Sequence, residues 1–188
     1  IKRLVAGENY TLREEFAPYG YLKATDVEFS VEDTAEVQKV EMKDEVPTAL
    51  LIINKKGQFL DNVSLVEHTK GTVEHIFEYI TGSLTEVTFE IYAAEDIKAA
   101  DGVSEDYYKA DELIGTITTD ETGIAQMGEL PVGKYYVKEV ATAHGYVLDG
   151  EPRYVDLSYR DQETPVVTYD EDWQNNRQRV SVNVLKKE

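Results

Sequence analysis

GENYTLREEFAPYGYL at residues 7–22 and VGKYYVKEVATAHGYVL at residues 132–148 are two copies of one pattern. Aligned on their glutamates, Tyr10, Glu14, Gly20 and Tyr21 fall on Tyr135, Glu139, Gly145 and Tyr146, while Leu12 pairs with Val137 and Arg13 with Lys138. A second copy follows in the same order. MKDEVPTALLIINKKG at 42–57 recurs as WQNNRQRVSVNVLKKE at 173–188, which sets Asp44 on Asn175, and Lys55 and Lys56 on Lys186 and Lys187. A spacing of roughly 125–131 residues exceeds any solenoid period and marks tandem domains.

Outward from these copies the dominant signal is period-two alternation, the mark of half-buried strands. It runs through Val27–Val31, Thr88–Tyr92, Leu113–Ile117, Tyr135–Glu139, Val155–Tyr159 and Val180–Val184. Turn signals lie between them at 120–123, 131–133, 143–145 and 149–152. Short strands at such intervals predict an all-β sandwich. One stretch, Ala93–Ala100, is compatible with a short helix, although its Ala-Glu-Asp also suits a turn. Residues 57–81 read as a hairpin, Val63–Val66 against Val73–Ile80 with its turn at Thr69-Lys70-Gly71. After it, Gly82-Ser-Leu84 is expected to begin the strand that continues through Phe89.

The chain opens on Ile1 and its copies are out of phase with its ends, so it reads as a fragment of a longer protein. The phase predicts the end of one module at 1–46, a complete module at 47–178 and the first strand of another at 179–188. With 41% hydrophobic and 30% charged residues, the composition is that of a soluble globular protein, and its thirteen tyrosines favour strands. A net charge of −18 opposes phosphate backbones and anionic lipid, which sets nucleic acid aside as a partner. No run approaches the roughly 18 apolar residues of a membrane span. The absence of cysteine excludes disulfides and thiolate metal sites.

Alternation also assigns faces. Tyr135, Val137 and Glu139 share one face, as do Tyr10, Leu12 and Glu14. Leu51, Ile53 and Lys55 share another, repeated by Val180, Val182, Val184 and Lys186; Trp173 lies with Asn175 and Met42 with Asp44. In each series a polar residue ends a row that faces the core. A buried lysine, glutamate and Asn/Asp cannot all stay charged and unpaired. Desolvation lowers a lysine pKa and raises that of a glutamate, so a neutral amine beside a protonated carboxyl is expected. Such an amine is a nucleophile, such a carboxyl can hydrogen-bond a side-chain carbonyl and shuttle protons, and contact supplies effective molarity. The product is a Lys–Asn isopeptide bond with loss of ammonia.

Tyr-Thr-Leu-Arg-Glu-Glu-Phe-Ala-Pro-Tyr-Gly-Tyr at 10–21 resembles the signature of Cna B-type domains, also called SpaA-like or prealbumin-like domains, of Gram-positive surface adhesins and pilins. QKVEMKDEVPT, at 38–48, resembles that family's last strand. FEIYAAEDI, ITTDETGIAQMGELPVGKYYVKEV and NRQRVSVNVLKKE are similar to a second module of the same kind. The resemblance covers nearly the whole chain. It implies inverse immunoglobulin-like β-sandwich modules in tandem, commonly stapled by an autocatalytic isopeptide bond, in an extracellular, cell-wall-attached protein. Carried over by position, it joins Lys55 to Asn175 with Glu139 assisting, and gives Glu14 and Asp44 to a preceding module and Lys186 to a following one. Ala143-His144 stands in place of the signature's Pro-x, Glu86 where glycine is usual, and residues 57–81 where a short connection is usual.

Lys56 is an adjacent competitor for the nucleophile and Asn176 for the amide. His68, His75 and His144 sit at turns and do not form a zinc pattern, and the acidic loops at 96–102 and 170–172 lack calcium-loop spacing. No metal or cofactor is implied. The leading function is a structural stalk module whose partners are neighbouring modules of the same chain. The alternative is an adhesive module that recognises a host protein or glycan through its loops, the 57–81 segment and Tyr107-Tyr108. A turnover enzyme comes last, for want of a His-, Cys- or metal-based constellation.

Overall fold

The computed structural model describes residues 3–69, 71 and 73–180. Ten strands follow in chain order: β1 (Asn9–Leu12), β2 (Val27–Ser30), β3 (Thr48–Glu67), β4 (Val73–Ser83), β5 (Thr88–Ala93), β6 (Leu113–Thr118), β7 (Ile124–Pro131), β8 (Gly133–Ala141), β9 (Arg153–Leu157) and β10 (Val166–Asn175). No helix occurs among the described residues. Ala94-Glu95 is a bend after β5, which realises the turn reading of Ala93–Ala100.

Two four-stranded sheets make a β-sandwich. In one, β3 pairs in parallel with β10 and antiparallel with β7 and then β4. In the other the order is β6-β5-β8-β9, all antiparallel. Alternating residues of each strand point inward, as the pleat requires. Ala49, Leu51 and Ile53 of β3 meet Phe89 and Ile91 of β5 and Tyr135 and Val137 of β8 in a fully buried layer. Trp173 of β10 packs edge-on against Phe89, with ring centres 5.7 Å apart and planes at 82°.

Residues 57–81 do form a hairpin, but its first strand is the uninterrupted continuation of β3. The strand leaves the sandwich after Gly57, where β10 stops pairing, and runs on to Glu67 with only β4 beside it. A register shift between Leu60 and Asn62 bulges this arm, and its turn is closed by Gly71 N–H on the carbonyl of His68 at 3.0 Å. Both faces are open: Leu60, Val63, Leu65, Ile76, Phe77 and Ile80 are all exposed.

The expected single strand from Gly82 through Phe89 is two strands. β4 ends at Ser83 and β5 begins at Thr88, because Glu86 takes a left-handed φ of 60°. That conformation is open to glycine without strain and is uncommon for other residues. Val155–Tyr159 is likewise shifted, since β9 covers 153–157 and Ser158 N–H turns back onto the Asp156 carboxylate. Of the expected strand Val180–Val184, residues 181–184 lie outside the described residues.

Before the sandwich, β1 and β2 pair antiparallel as a sheet of their own. No residue of 3–46 contributes to the buried apolar core. This segment touches the sandwich at its edge, where Tyr19 packs on Tyr159 with ring centres 4.9 Å apart and Lys23 N–H donates to the Gln162 carbonyl at 2.8 Å.

Candidate functional site

The core contains four buried polar residues among the described ones: Lys55, Thr119, Glu139 and Asn175. Three of them meet. Lys55 is the last inward residue of β3 before Gly57, Glu139 lies near the end of β8, and Asn175 ends β10. Lys55 is opposite Trp173 in the parallel β3–β10 register, and Asn175 is opposite Gly57, one inward step further on. Both side chains therefore enter the same layer from adjacent strands, and Glu139 reaches them from the facing sheet.

Glu139 bridges the two. Lys55 Nζ donates to Oε2 at 2.6 Å and Asn175 Nδ2 donates to Oε1 at 2.5 Å. The lysine and glutamate side chains are almost wholly shielded from water. Burial lowers the Lys55 pKa below the usual lysine value; the hydrogen bond and charge of Glu139 oppose this, and the positive charge of Arg153 adds to it. Lys55 Nζ also stands 5.5 Å from the centre of the Phe89 ring. Arg153 lies over the Trp173 indole at 4.6 Å and is held by Asp149 at 2.6 Å.

The Asn175 amide is asymmetrically satisfied. Its Nδ2 donates a second hydrogen bond, to Thr142 Oγ1 at 2.8 Å, whereas its Oδ1 is buried without a partner. The expected contact of Glu139 with the side-chain carbonyl is thus made instead with the side-chain nitrogen.

Lys55 and Lys56, competitors by their adjacency in the sequence, are separated by the fold. Lys55 is 1% exposed, while Lys56 is half-buried on the other face of β3. Asn176 is exposed and its backbone carbonyl accepts Val147 N–H at 2.8 Å. Glu14 is half-buried beyond β1 and accepts Ala24 N–H at 2.8 Å; Asp44 is half-buried on irregular chain before β3. Lys186 lies outside the described residues.

Two supporting residues stand outside the lysine, acid and amide trio. Thr142, just past the end of β8, carries no periodic signal. Tyr146, the tyrosine of the repeated Gly-Tyr, lays its ring where a β-carbon on Gly57 would come within 2.6 Å and donates its hydroxyl to the Gln58 carbonyl at 2.7 Å. Its neighbour Gly145 turns the chain with a φ of 87°, as Gly20 does with 92° in the first copy. That shared geometry explains why both copies keep the glycine.

A family model for SpaA, the prealbumin-like fold domain, matches residues 1–46 and 78–173. A search of curated proteins gives no match. Among solved structures, the chain is similar to the Bacillus anthracis TIE protein, at 22% identity over 90% of this chain and 25% of that one, with a TM-score of 0.52. It is also similar to GBS52, the minor pilin of Streptococcus agalactiae, at 17% identity over 99% of this chain and 66% of that one, TM-score 0.46. The major pilin SpaA of Corynebacterium diphtheriae is similar at 17% identity over 69% of this chain and 31% of that one, TM-score 0.42. At 22% identity the likeness to the anthrax protein is one of fold, and the chain spans a quarter of its length.

Proposed function

Because the chain belongs to the SpaA family of prealbumin-like fold domains, we propose that it is a structural stalk segment of a cell-wall-attached, extracellular adhesin or pilin, locked by an autocatalytic isopeptide bond between Lys55 and Asn175. The observation that carries this reading is the shared carboxylate of Glu139, with the amine at 2.6 Å on one oxygen and the amide at 2.5 Å on the other. A buried ion pair is weak evidence for stability alone, since apolar residues of like volume usually serve as well. A buried amine, acid and amide in contact is instead a set of reactants.

The chemistry uses each group once. Lys55 must lose a proton before it can attack, and burial already weakens its hold on that proton. Glu139 Oε2 is positioned to take it. Nζ then bonds to Asn175 Cγ, the Cγ–Nδ2 bond breaks, and ammonia leaves. Fixing amine and amide on adjacent strands supplies the effective molarity that an uncatalysed amide exchange lacks. Phe89 and Trp173 wall the site with apolar rings and exclude water that would compete. The reaction runs once per module, so this is not a turnover enzyme. Closing about 120 residues into a loop stabilises by roughly 4–5 kcal/mol in the chain-entropy model. An amide staple also suits a protein without cysteine.

In this reading residues 47–178 are one complete module, 1–46 the C-terminal part of a preceding one and 179–188 the first strand of a following one. Glu14 and Asp44 then belong to the preceding module and Lys186 to the following one. Two observations support the division: the β1–β2 sheet adds nothing to the buried core, and the family match runs in two segments. Single-molecule pulling tests the stalk role. A linked module transmits force through the bond, so residues between 55 and 175 add no length; release of the full contour length would contradict it.

A second reading, an adhesive role, is favoured by the arm of β3 and β4, whose apolar side chains are open on both faces. A host protein or glycan is the ligand class this reading names. An array of glycans and matrix proteins, probed with the chain and with an arm-deleted variant, tests it: arm-dependent binding supports it, and identical patterns contradict it.

A further inference from the structure

We propose that Thr142 is a second catalytic donor in bond closure, a hydroxyl that takes up the Asn175 carbonyl oxygen together with Glu139. This rests on the Lys55–Asn175 reading above and extends it to a residue outside the lysine, acid and amide trio.

The amide in its resting arrangement is turned the wrong way for attack. Both hydrogens of Nδ2 are engaged, one by Glu139 Oε1 at 2.5 Å and one by Thr142 Oγ1 at 2.8 Å. Oδ1, the atom that must gather negative charge when an amine adds to Cγ, is buried and has no partner. An orphaned buried carbonyl is costly and calls for an explanation. A half-turn of the amide supplies one, because it exchanges the places of Oδ1 and Nδ2.

The half-turn requires acceptors to become donors. A carboxylate can only accept, but once Glu139 has taken the Lys55 proton at Oε2 and its carboxyl group has turned over, it presents that O–H to the amide and its bare oxygen to Nζ. A threonine hydroxyl accepts or donates by rotation alone. Proton transfer from Lys55 to Glu139 and the turning of the amide are therefore coupled. Once turned, Oδ1 receives O–H donors from Glu139 and Thr142, the two-donor arrangement that stabilises an oxyanion. Nζ bonds to Cγ and the carbonyl π pair moves to Oδ1. As Cγ becomes tetrahedral Nδ2 leaves the amide plane, the bare oxygen of Glu139 takes the proton that Nζ gives up while the carboxyl O–H passes to Nδ2, the Cγ–Nδ2 bond breaks, and Nδ2 departs as ammonia. Glu139 ends as it began that step, protonated.

The sequence copies carry an independent correlation. In the alignment that sets Glu14 on Glu139, Thr142 falls on Ala17. The first copy has Asp44 in place of the amide. An acid has no amide nitrogen to turn away, and the copy that lacks the amide also lacks the hydroxyl.

The test follows closure in the full chain made in a cell-free translation pulse, with intact mass read against time for wild type, Thr142→Val and Thr142→Ser. Valine keeps the shape and removes the donor; serine keeps the donor. The expected result is loss of one ammonia about a hundredfold more slowly in Thr142→Val, the order of effect of removing one oxyanion donor, with Thr142→Ser near the wild-type rate. Closure of Thr142→Val at the wild-type rate overturns this inference alone, while a wild type that never loses ammonia overturns the Lys55–Asn175 reading with it. Melting of Lys55→Ala and Lys55→Ala/Thr142→Val, neither of which can close, separates chemistry from packing. Coincident melting supports a catalytic role, and a markedly lower melting of the double variant overturns it in favour of a structural one.

Discussion

Asn175 lies one inward step beyond Trp173, the register partner of Lys55 on the parallel strand β10, so the two side chains point into one layer and end on the two oxygens of Glu139. This offset decides the chemistry. Parallel neighbours bring the first and last strands of the sandwich side by side, and a covalent tie at that point encloses nearly everything between them.

Lys55 and Lys56 should behave as opposites. Lys55→Ala is expected to give a folded chain that keeps its ammonia and loses the roughly 4–5 kcal/mol of loop closure, seen as a melting temperature lower by roughly 10 °C or more. Lys56→Ala removes a half-buried side chain from the other face and should change neither the loss of ammonia nor the melting. Thermal unfolding with intact mass on the same samples checks both.

Glu139→Ala should also yield a folded chain of unreduced mass that melts lower. It removes the group that accepts the lysine proton and leaves Lys55 buried without its partner. Appearance of the linked mass in this variant would mean that the bond forms without the bridge.

The rate of closure should show a maximum in pH. The reactive pair, neutral Lys55 with protonated Glu139, has the same proton count as the ion pair. Acid adds a proton to the pair and ties up the amine; alkali removes one and takes away the donor. Because burial depresses the Lys55 pKa, the alkaline limb should fall below the ordinary lysine value of 10.5. Arg153 contributes to that depression, so Arg153→Gln should move the limb upward. Intact mass sampled across buffers after a translation pulse measures it.

Gly57→Ala should destabilise the module by about 1–3 kcal/mol through overpacking, because its β-carbon would meet the Tyr146 ring at 2.6 Å. Tyr146→Phe keeps the ring and loses the hydrogen bond to the Gln58 carbonyl, at about 1 kcal/mol. Denaturant titration ranks the two, with the glycine variant expected lower.

Joining Gly57 to Gly82 by a short turn should leave the sandwich folded and able to close, since these two are register partners at the base of the arm and no arm residue is in the buried core. Circular dichroism and intact mass check this, and global unfolding would assign the arm to the core instead.

Much of this is legible from alternation. Leu51, Ile53 and Lys55 on one face, and Tyr135, Val137 and Glu139 on another, place two site residues in the core by pattern alone, and the repeat picks out Asn175 by its partner Asp44. The rest depends on contacts between distant parts of the chain. Thr142 follows a strand end with no periodic pattern and gains meaning only from Asn175, thirty-odd positions later. Arg153 looks like a surface cation until Trp173 lies beneath it. The length of β3 is hidden because Lys55-Lys56-Gly57 reads as a strand end, whereas the pairing of Gly57 with Gly82 carries the strand through. The break at Glu86 is hidden as well, because a left-handed φ at glutamate has no local signature.

High-resolution intact mass followed by tandem fragmentation of a proteolytic digest reads out the bond between Lys55 and Asn175 itself. The chain should be lighter than its sequence by one ammonia, with one branched peptide joining the segment that holds Lys55 to the segment that holds Asn175. A chain at its full sequence mass, or a branch that maps to Lys56 or Asn176, would contradict it.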